Sequence, residues 1–325
     1  MPDPEEKIAP AVPPGWNAEA LALWQTDKKV EAIQACLRQV NEQGGCKSPR
    51  LSLQVAYYLF QIGDFAAAAE LLGLQSRNTP DHEEVNLNLA VCLSRCRRPE
   101  EAVQRLIRVV GLNPDNAVAW DGLAADYARL GRFEDARKAG TRALMIKDSR
   151  TVPCPEDWTT ATVIEARASA QKAGRRIISF SLWGTAPRYL RGALRNVLLA
   201  PDLFPGWTLR MYVDASAPVE LLEVFREKGV ELVVEPSGQG VRERLAWRFK
   251  VADDPSVSRF LIRDIDSVFS LREALAVEDW LQSGRAFHVM RDWWTHTDLI
   301  LAGMWGGVGG LLPGVLGLLN GYVSP

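Results

Sequence analysis

The sequence predicts two domains, an all-helical repeat array followed by an α/β domain with a mostly parallel sheet. Three observations predict it. The 325 residues exceed what one hydrophobic core usually organises. Apolar and turn positions recur every 34 residues through the first half. After Arg150 that rhythm gives way to short β-rich runs alternating with helical ones. At 47% hydrophobic, the chain is not a wholly disordered one. Its 38 basic and 40 acidic residues give a net charge of −2, split evenly on either side of residue 150. Neither half offers the concentrated positive face that nucleic acid requires, so nucleic acid is excluded as the main partner. Five cysteines make no disulfide framework and suit a reducing compartment. MPDPEEKIAP at the start lacks the apolar core of a secretory signal. A cytoplasmic protein is expected.

Pro80, Pro114 and Asp148 keep the 34-residue step, as do Ala68, Ala102 and Ala136, then Ala56, Ala90 and Ala124, and Leu59, Leu93 and Tyr127. Gly63, Arg97 and Gly131 hold it too. Each unit reads as two helices joined by a tight turn. Glycine at 63 and 131 suits the left-handed residue that closes a helix. The alanines sit where paired helices approach closely, and proline starts the passage to the next unit. Residues 49–82, 83–116 and 117–150 are three copies, and 16–48 is a degenerate fourth with a Gly-Gly break at 44–45. Cys92 and Cys96 share a helix, but no second pair follows at metal-ligand spacing, so they read as small packing residues. His82 falls at a repeat junction and is expected at the surface.

Residues 151–174 read as a linker plus connecting helix. Strands are predicted at 177–181, 209–214, 230–234 and 259–262, with helices at 188–200, 218–228 and 241–251. Strand–helix alternation argues for a mostly parallel sheet covered by helices. Ligands of such sheets bind beyond the carboxyl ends of the strands. Those positions hold Ser181 and Trp183, then Asp214, then Arg263-Asp264-Ile265-Asp266. Two carboxylates flanking one residue at a strand end suit a hard cation, Mg²⁺ or Mn²⁺. The bland reading makes them turn or cap residues. It loses weight because Ser270 with Glu273 already forms a capping box for the next helix.

The first-half pattern resembles the tetratricopeptide repeat, best in Trp120, Leu123, Tyr127, Gly131, Phe133 and Ala136. The resemblance implies an all-α solenoid that binds a peptide or protein on its concave face. The second half resembles nucleotide-sugar-dependent glycosyltransferases of the A-type fold (GT-A). The likeness rests on the Asp-x-Asp at 264–266, Trp247-Arg248-Phe249, Phe287 to Asp292, His296, and Gly303-Met304-Trp305-Gly306. It is similar to bacterial proteins that fuse such repeats to such a domain. This implies a Rossmann-like α/β domain over 175–325, a nucleotide-sugar donor, and Mn²⁺ or Mg²⁺ held by Asp264 and Asp266. Ser181, Trp183 and Asp214 would line the nucleoside pocket. Arg248 or Arg263 would add positive charge near the phosphates, or simply balance the aspartates.

Transfer from such a donor develops charge on the leaving diphosphate, which a divalent cation stabilises directly. Asp292 is the candidate base for an acceptor hydroxyl of a glycan or protein. Trp293 and Trp294 offer flat faces for a sugar ring, and His296 a hydrogen bond to acceptor or phosphate. The activity expected is metal-dependent, hexosyltransferase-like glycosyl transfer. Its rival is a repeat scaffold whose second domain keeps the transferase fold without catalysis. Residues 299–325 carry no charge and eight glycines. They read as a buried, glycine-rich loop closing the site rather than a transmembrane helix. Relatives of this architecture continue further, so the sequence also reads as a C-terminally truncated product.

Overall fold

The computed structural model describes residues 13–45, 47–151, 174–312 and 314–323. The linker and connecting helix expected at 151–174 lie outside the described residues, apart from their ends. The described chain forms two compact units. One holds residues 13–151 together with Trp293–Leu299, the other 174–292 and 300–323. The short stretch at 293–299 thus belongs with the repeats, although the sequence reading placed it in the α/β domain.

The first unit is a series of helix pairs: α1 (Ala18–Gln25), α2 (Lys29–Glu42), α3 (Pro49–Gln61), α4 (Phe65–Asn78), α5 (Glu83–Arg95), α6 (Pro99–Leu112), α7 (Ala117–Arg129) and α8 (Phe133–Ser149). The first helices of three pairs start at 49, 83 and 117, and the second helices at 65, 99 and 133. The 34-residue step of the sequence is therefore the step of the fold. Caps keep the same register. Ser48, His82 and Asn116 accept hydrogen bonds from the N–H groups of Leu51, Val85 and Ala119, satisfying otherwise orphaned donors. His82, expected merely at the surface, performs this role through Nδ1 at 3.4 Å. The turn inside each pair needs a left-handed residue: φ is 86° at Gly63 and 72° at Gly131, and also 59° at Arg97 and 61° at Asp27. Ala56, Ala68, Ala90, Ala102 and Ala124 are buried where the helices meet. Cys92 lies in the same core, and burial, with Cys96 nearby, pushes its thiol up to about 11. Burial in apolar surroundings raises a thiol in this way.

The second unit is a six-stranded sheet in the order β3-β2-β1-β4-β6-β5. Its strands are β1 (Arg175–Leu182), β2 (Thr208–Val213), β3 (Glu231–Val234), β4 (Val257–Arg263), β5 (Phe287–Val289) and β6 (Met304–Val308). β1 to β4 run parallel, while β6 is antiparallel to both β4 and β5. Helices α9 (Pro187–Leu203), α10 (Val219–Glu227), α11 (Val241–Ala246), α12 (Leu271–Ser283) and α13 (Val315–Val323) accompany it. The helix expected at 241–251 ends early and passes into a 3-10 helix, Trp247–Asp253. Ser179 and Ser181, successive residues on one face of β1, grip that segment. The Ser179 hydroxyl donates to the Arg248 carbonyl at 2.7 Å, and Ser181 Oγ accepts the Arg248 N–H at 3.1 Å.

The glycine-rich C-terminal stretch is not the loop that the sequence suggested. It supplies β6, which pairs between β4 and β5, and then α13, whose first N–H groups bond the Asp253 carboxylate at 3.1 and 2.9 Å. The glycines answer to packing. A Cβ on Gly306 would lie 2.5 Å from the Phe260 carbonyl oxygen, and one on Gly307 2.9 Å from the Phe260 ring. Among the described residues no helix is long and apolar enough to cross a membrane.

Candidate functional site

The chain leaves β1 toward β2 and β3 on one side and returns to β4 on the other. The carboxyl ends of β1 and β4 therefore flank a topological switch point, where loops diverge and open a crevice. A cleft of about 230 Å³ lies there. From β1 it takes Ser181, Leu182 and Trp183; from the loop after β4, Asp264, Ile265 and Asp266. Tyr189 of α9, Val241 and Leu245 of α11, and Arg248 close it. Five residues singled out in the sequence thus meet in one place: Ser181, Trp183, Arg248, Asp264 and Asp266.

Each carboxylate has an arginine. Arg248 is buried, and its guanidinium donates to Asp264 Oδ1 at 2.5 Å. Its Nε is buried without a hydrogen-bond partner. Arg188, exposed on α9, pairs with Asp266 Oδ2 at 2.5 Å. The Asp264–Asp266 loop is held rigidly from both sides. Asn196 Nδ2 donates to the carbonyls of Ile265 and Ser267 at 3.2 and 3.0 Å, and its Oδ1 accepts the Phe269 N–H at 2.9 Å. Gly192 lets α9 close on the loop, since a Cβ there would lie 2.5 Å from the Ile265 carbonyl oxygen. Gly303 does the same opposite, where a Cβ would meet the Asp264 carboxylate at 2.1 Å. Ser270 caps α12 through the Glu273 N–H at 3.3 Å, so neither aspartate is spent on starting that helix. Only half of the expected capping box forms, because the Glu273 carboxylate turns inward to Arg263.

Other expected site residues lie outside the lining of this cleft. Asp214 is buried; it bonds the Ser216 N–H and hydroxyl, and Ser216 Oγ accepts the Gly184 N–H at 2.8 Å. Arg244 approaches its second oxygen at 3.1 Å, out of line for a hydrogen bond. Asp214 thereby fixes the loop after β1 that carries Trp183. Arg263 is buried between Glu273 and the carbonyls of Ile262 and Trp305, so it balances Glu273 and not the aspartates. Asp292 pairs with Arg272 at 2.8 Å. In the first unit Trp294 stacks on Phe133 with centroids 5.2 Å apart, Trp293 is largely exposed, and the His296 N–H bonds the Trp293 carbonyl at 3.0 Å.

Sequence reading missed Arg188 and Tyr189. A signal was present: Arg188 sits in the first turn of α9, where no acidic residue offsets it and the helix dipole disfavours a cation. Among the described residues no group of three or more His, Cys, Asp or Glu side chains gathers around one point. Asp264 and Asp266 are two carboxylates, fewer than such a group, and each is ion-paired with an arginine.

Residues 59–126 match the family model of the tetratricopeptide repeat. The chain is similar to the solved structure of MamA 41-end from Desulfovibrio magneticus RS-1, at 14% identity and a TM-score of 0.38, over 41% of this chain and 74% of that one. It is similar to MamA MSR-1 at 18% identity and a TM-score of 0.37, over 41% and 75%. It is also similar to YrrB, described as a TPR protein with an unusual peptide-binding site, at 17% identity and a TM-score of 0.37, over 40% and 66%. No curated protein matches the chain. Helices α4, α5 and α6 fall wholly within the stretch that matches the tetratricopeptide repeat.

Proposed function

We propose that the repeats dock a peptide or protein and that the α/β unit is a metal-dependent glycosyltransferase acting on a nucleotide-sugar donor, with a glycan or protein acceptor. One observation carries the catalytic part: Asp264 and Asp266 share a single cleft at the β1–β4 switch point with Arg248, and Arg188 reaches Asp266 from outside its lining. In this reading Asp264 and Asp266 hold Mn²⁺ or Mg²⁺, which when bound neutralises charge on the donor diphosphate. Arg248 and Arg188 turn from the carboxylates toward the phosphate oxygens, for which the guanidinium fork is well matched. Trp183 and the apolar side chains of Val241 and Leu245 cover the nucleoside. Asp292 serves as base to the acceptor once released from Arg272.

The repeats support docking by their architecture, since stacked helix pairs form an extended surface lined by side chains of successive units. A scaffold reading, with the second unit a degenerate transferase fold, is favoured by a different observation. Both carboxylates are already ion-paired within the chain, and the family model that residues 59–126 match is a repeat.

Calorimetric titration of nucleoside diphosphates with and without Mn²⁺ separates the two. Metal and nucleotide should each raise the affinity for the other by the same factor. Asp266→Ala should abolish that coupling and leave the fold intact, because Ser270 still caps α12. Metal-independent binding, or full coupling in Asp266→Ala, rejects the assignment. Absence of binding by any nucleotide leaves the scaffold.

A further inference from the structure

A second cleft, of about 220 Å³, lies on the other flank of Asp266. Arg188, Arg191, Gly192 and Arg195 of α9 line it, with Asp266 and Val268. Spacings of three and four residues place the three arginines on one side of the helix. Arg188 is engaged by Asp266. Arg191 uses only Nε, toward the Pro187 carbonyl at 3.2 Å, and among the described residues neither Arg191 nor Arg195 is ion-paired with a carboxylate. Both are exposed.

This concentration is not explained by the fold. The face of α9 that packs is made by Gly192, Ala193, Asn196 and Val197. Three cations within the first nine residues of a helix whose first turn holds no acid oppose both one another and the helix dipole. The platform beneath them is rigid, since Gly192 and Asn196 clamp the Asp264–Asp266 loop. Asp266 borders both clefts, so a group bound by Arg191 and Arg195 would lie next to whatever occupies the first.

We infer that the Arg191–Arg195 cleft is a phosphate-binding subsite and that the second substrate of this unit carries a phosphate ester. The term second substrate rests on the glycosyltransferase reading; the phosphate site does not. Two guanidinium forks facing one cleft match a tetrahedral dianion better than a monovalent carboxylate.

The test is calorimetric titration of the full chain with inorganic phosphate at low ionic strength, beside acetate, for the wild type and Arg191→Gln/Arg195→Gln. Phosphate should bind at least tenfold more tightly than acetate and should lose at least tenfold in the double variant. Phosphate binding no better than acetate, or equal in wild type and variant, overturns the subsite. A nucleoside diphosphate with Mn²⁺, titrated into both proteins, monitors the neighbouring cleft. If the double variant loses that ligand as severely as phosphate, the arginines serve the first cleft and the separate subsite is overturned. If the wild type binds phosphate through Arg191 and Arg195 but no nucleotide, the donor reading fails and the subsite stands.

Discussion

The buried polar residues of the repeat helices are Ser52, Gln54, Gln75, Ser76, Asn86 and Asp126, all but one neutral. Those of the α/β unit include Arg210, Arg248, Arg259, Arg263, Asp214, Glu235 and Glu273. Charges are shared evenly between the two halves of the sequence, so composition does not explain the contrast. The repeat unit keeps most of its ion pairs on the surface, as at Arg98–Glu101 and Arg137–Glu134, where each contributes little. The α/β unit withdraws charge from water and must pair it. Arg263 meets Glu273, Lys250 meets Glu235 at 2.6 Å, and Arg210 bridges Glu231 and Asp254 at 2.9 and 2.7 Å. Arg259 lies over the Trp280 ring at 5.1 Å. A unit that only packs can do so with alanine and leucine. Of the buried charged residues of this unit, Arg248 is the one that lines the cleft at the β1–β4 switch point.

The largest expected effect breaks a buried pair. Glu273→Ala strands the Arg263 guanidinium and should cost about 3–5 kcal/mol of the α/β unit's stability. Hydrogen exchange of the two units, followed separately in the full chain, would show it as lost protection in β4 and β6 alone. Removing both partners, as Arg263→Met with Glu273→Leu, should restore most of that loss. In the repeat unit Glu101→Ala should leave protection unchanged within error. Equal losses in the two units would remove the contrast drawn above.

An intermediate effect concerns acid. His288 is buried, its Nε2 without a hydrogen-bond partner, and burial with Arg263 nearby pushes its pKa down to about 4. An unfolded histidine titrates near 6.5. Below that value the unfolded chain binds a proton that the folded one refuses, so stability is full above pH 6.5 and falls until about pH 4. From pH 6.5 to 5 the α/β unit should lose about 2 kcal/mol from this group. His288→Gln should flatten that slope. A slope unchanged by the substitution would show that other groups govern the acid sensitivity.

The smallest effect sharpens the repeat side. Arg97 occupies, at φ 59°, the turn position that glycine fills at 63 and 131. Arg97→Gly should stabilise the repeats by about 0.5–1 kcal/mol, and Gly131→Ala should destabilise them by a similar amount. Chemical denaturation followed by helix content would detect both. Opposite signs at equivalent positions would tie the 34-residue step directly to turn geometry.

The repeats were readable because their information is local. A helix pair declares itself through alanines, a turn residue and a cap, and the register fixes even Arg97 as a left-handed position. The parallel strands and their ends were readable for a similar reason, and with them Asp264 and Asp266. The last strand was not. Gly303 to Gly309 has no alternation to mark β6, since Gly306 and Gly307 answer to Phe260 and Leu261, about 45 residues earlier in the chain. Arg188 was overlooked because its meaning depends on Asp266, on another element. Asp214 and Arg263 were placed near a ligand by their position at strand ends. The structure turns one to the loop after β1 and the other to α12.

By itself the sequence determined what neighbours in the chain decide: the 34-residue step of the helix pairs, turn handedness, the strand–helix alternation and the carboxylates that end β4. Only the tertiary structure decided which arginine pairs with which acid, which strand-end residues share the cleft, and where the glycine-rich segment belongs. The physical reason is the range of the interactions. Backbone preference and amphipathic period act over a few residues. Burying a charge, by contrast, is tolerable only when a partner arrives from a distant part of the chain.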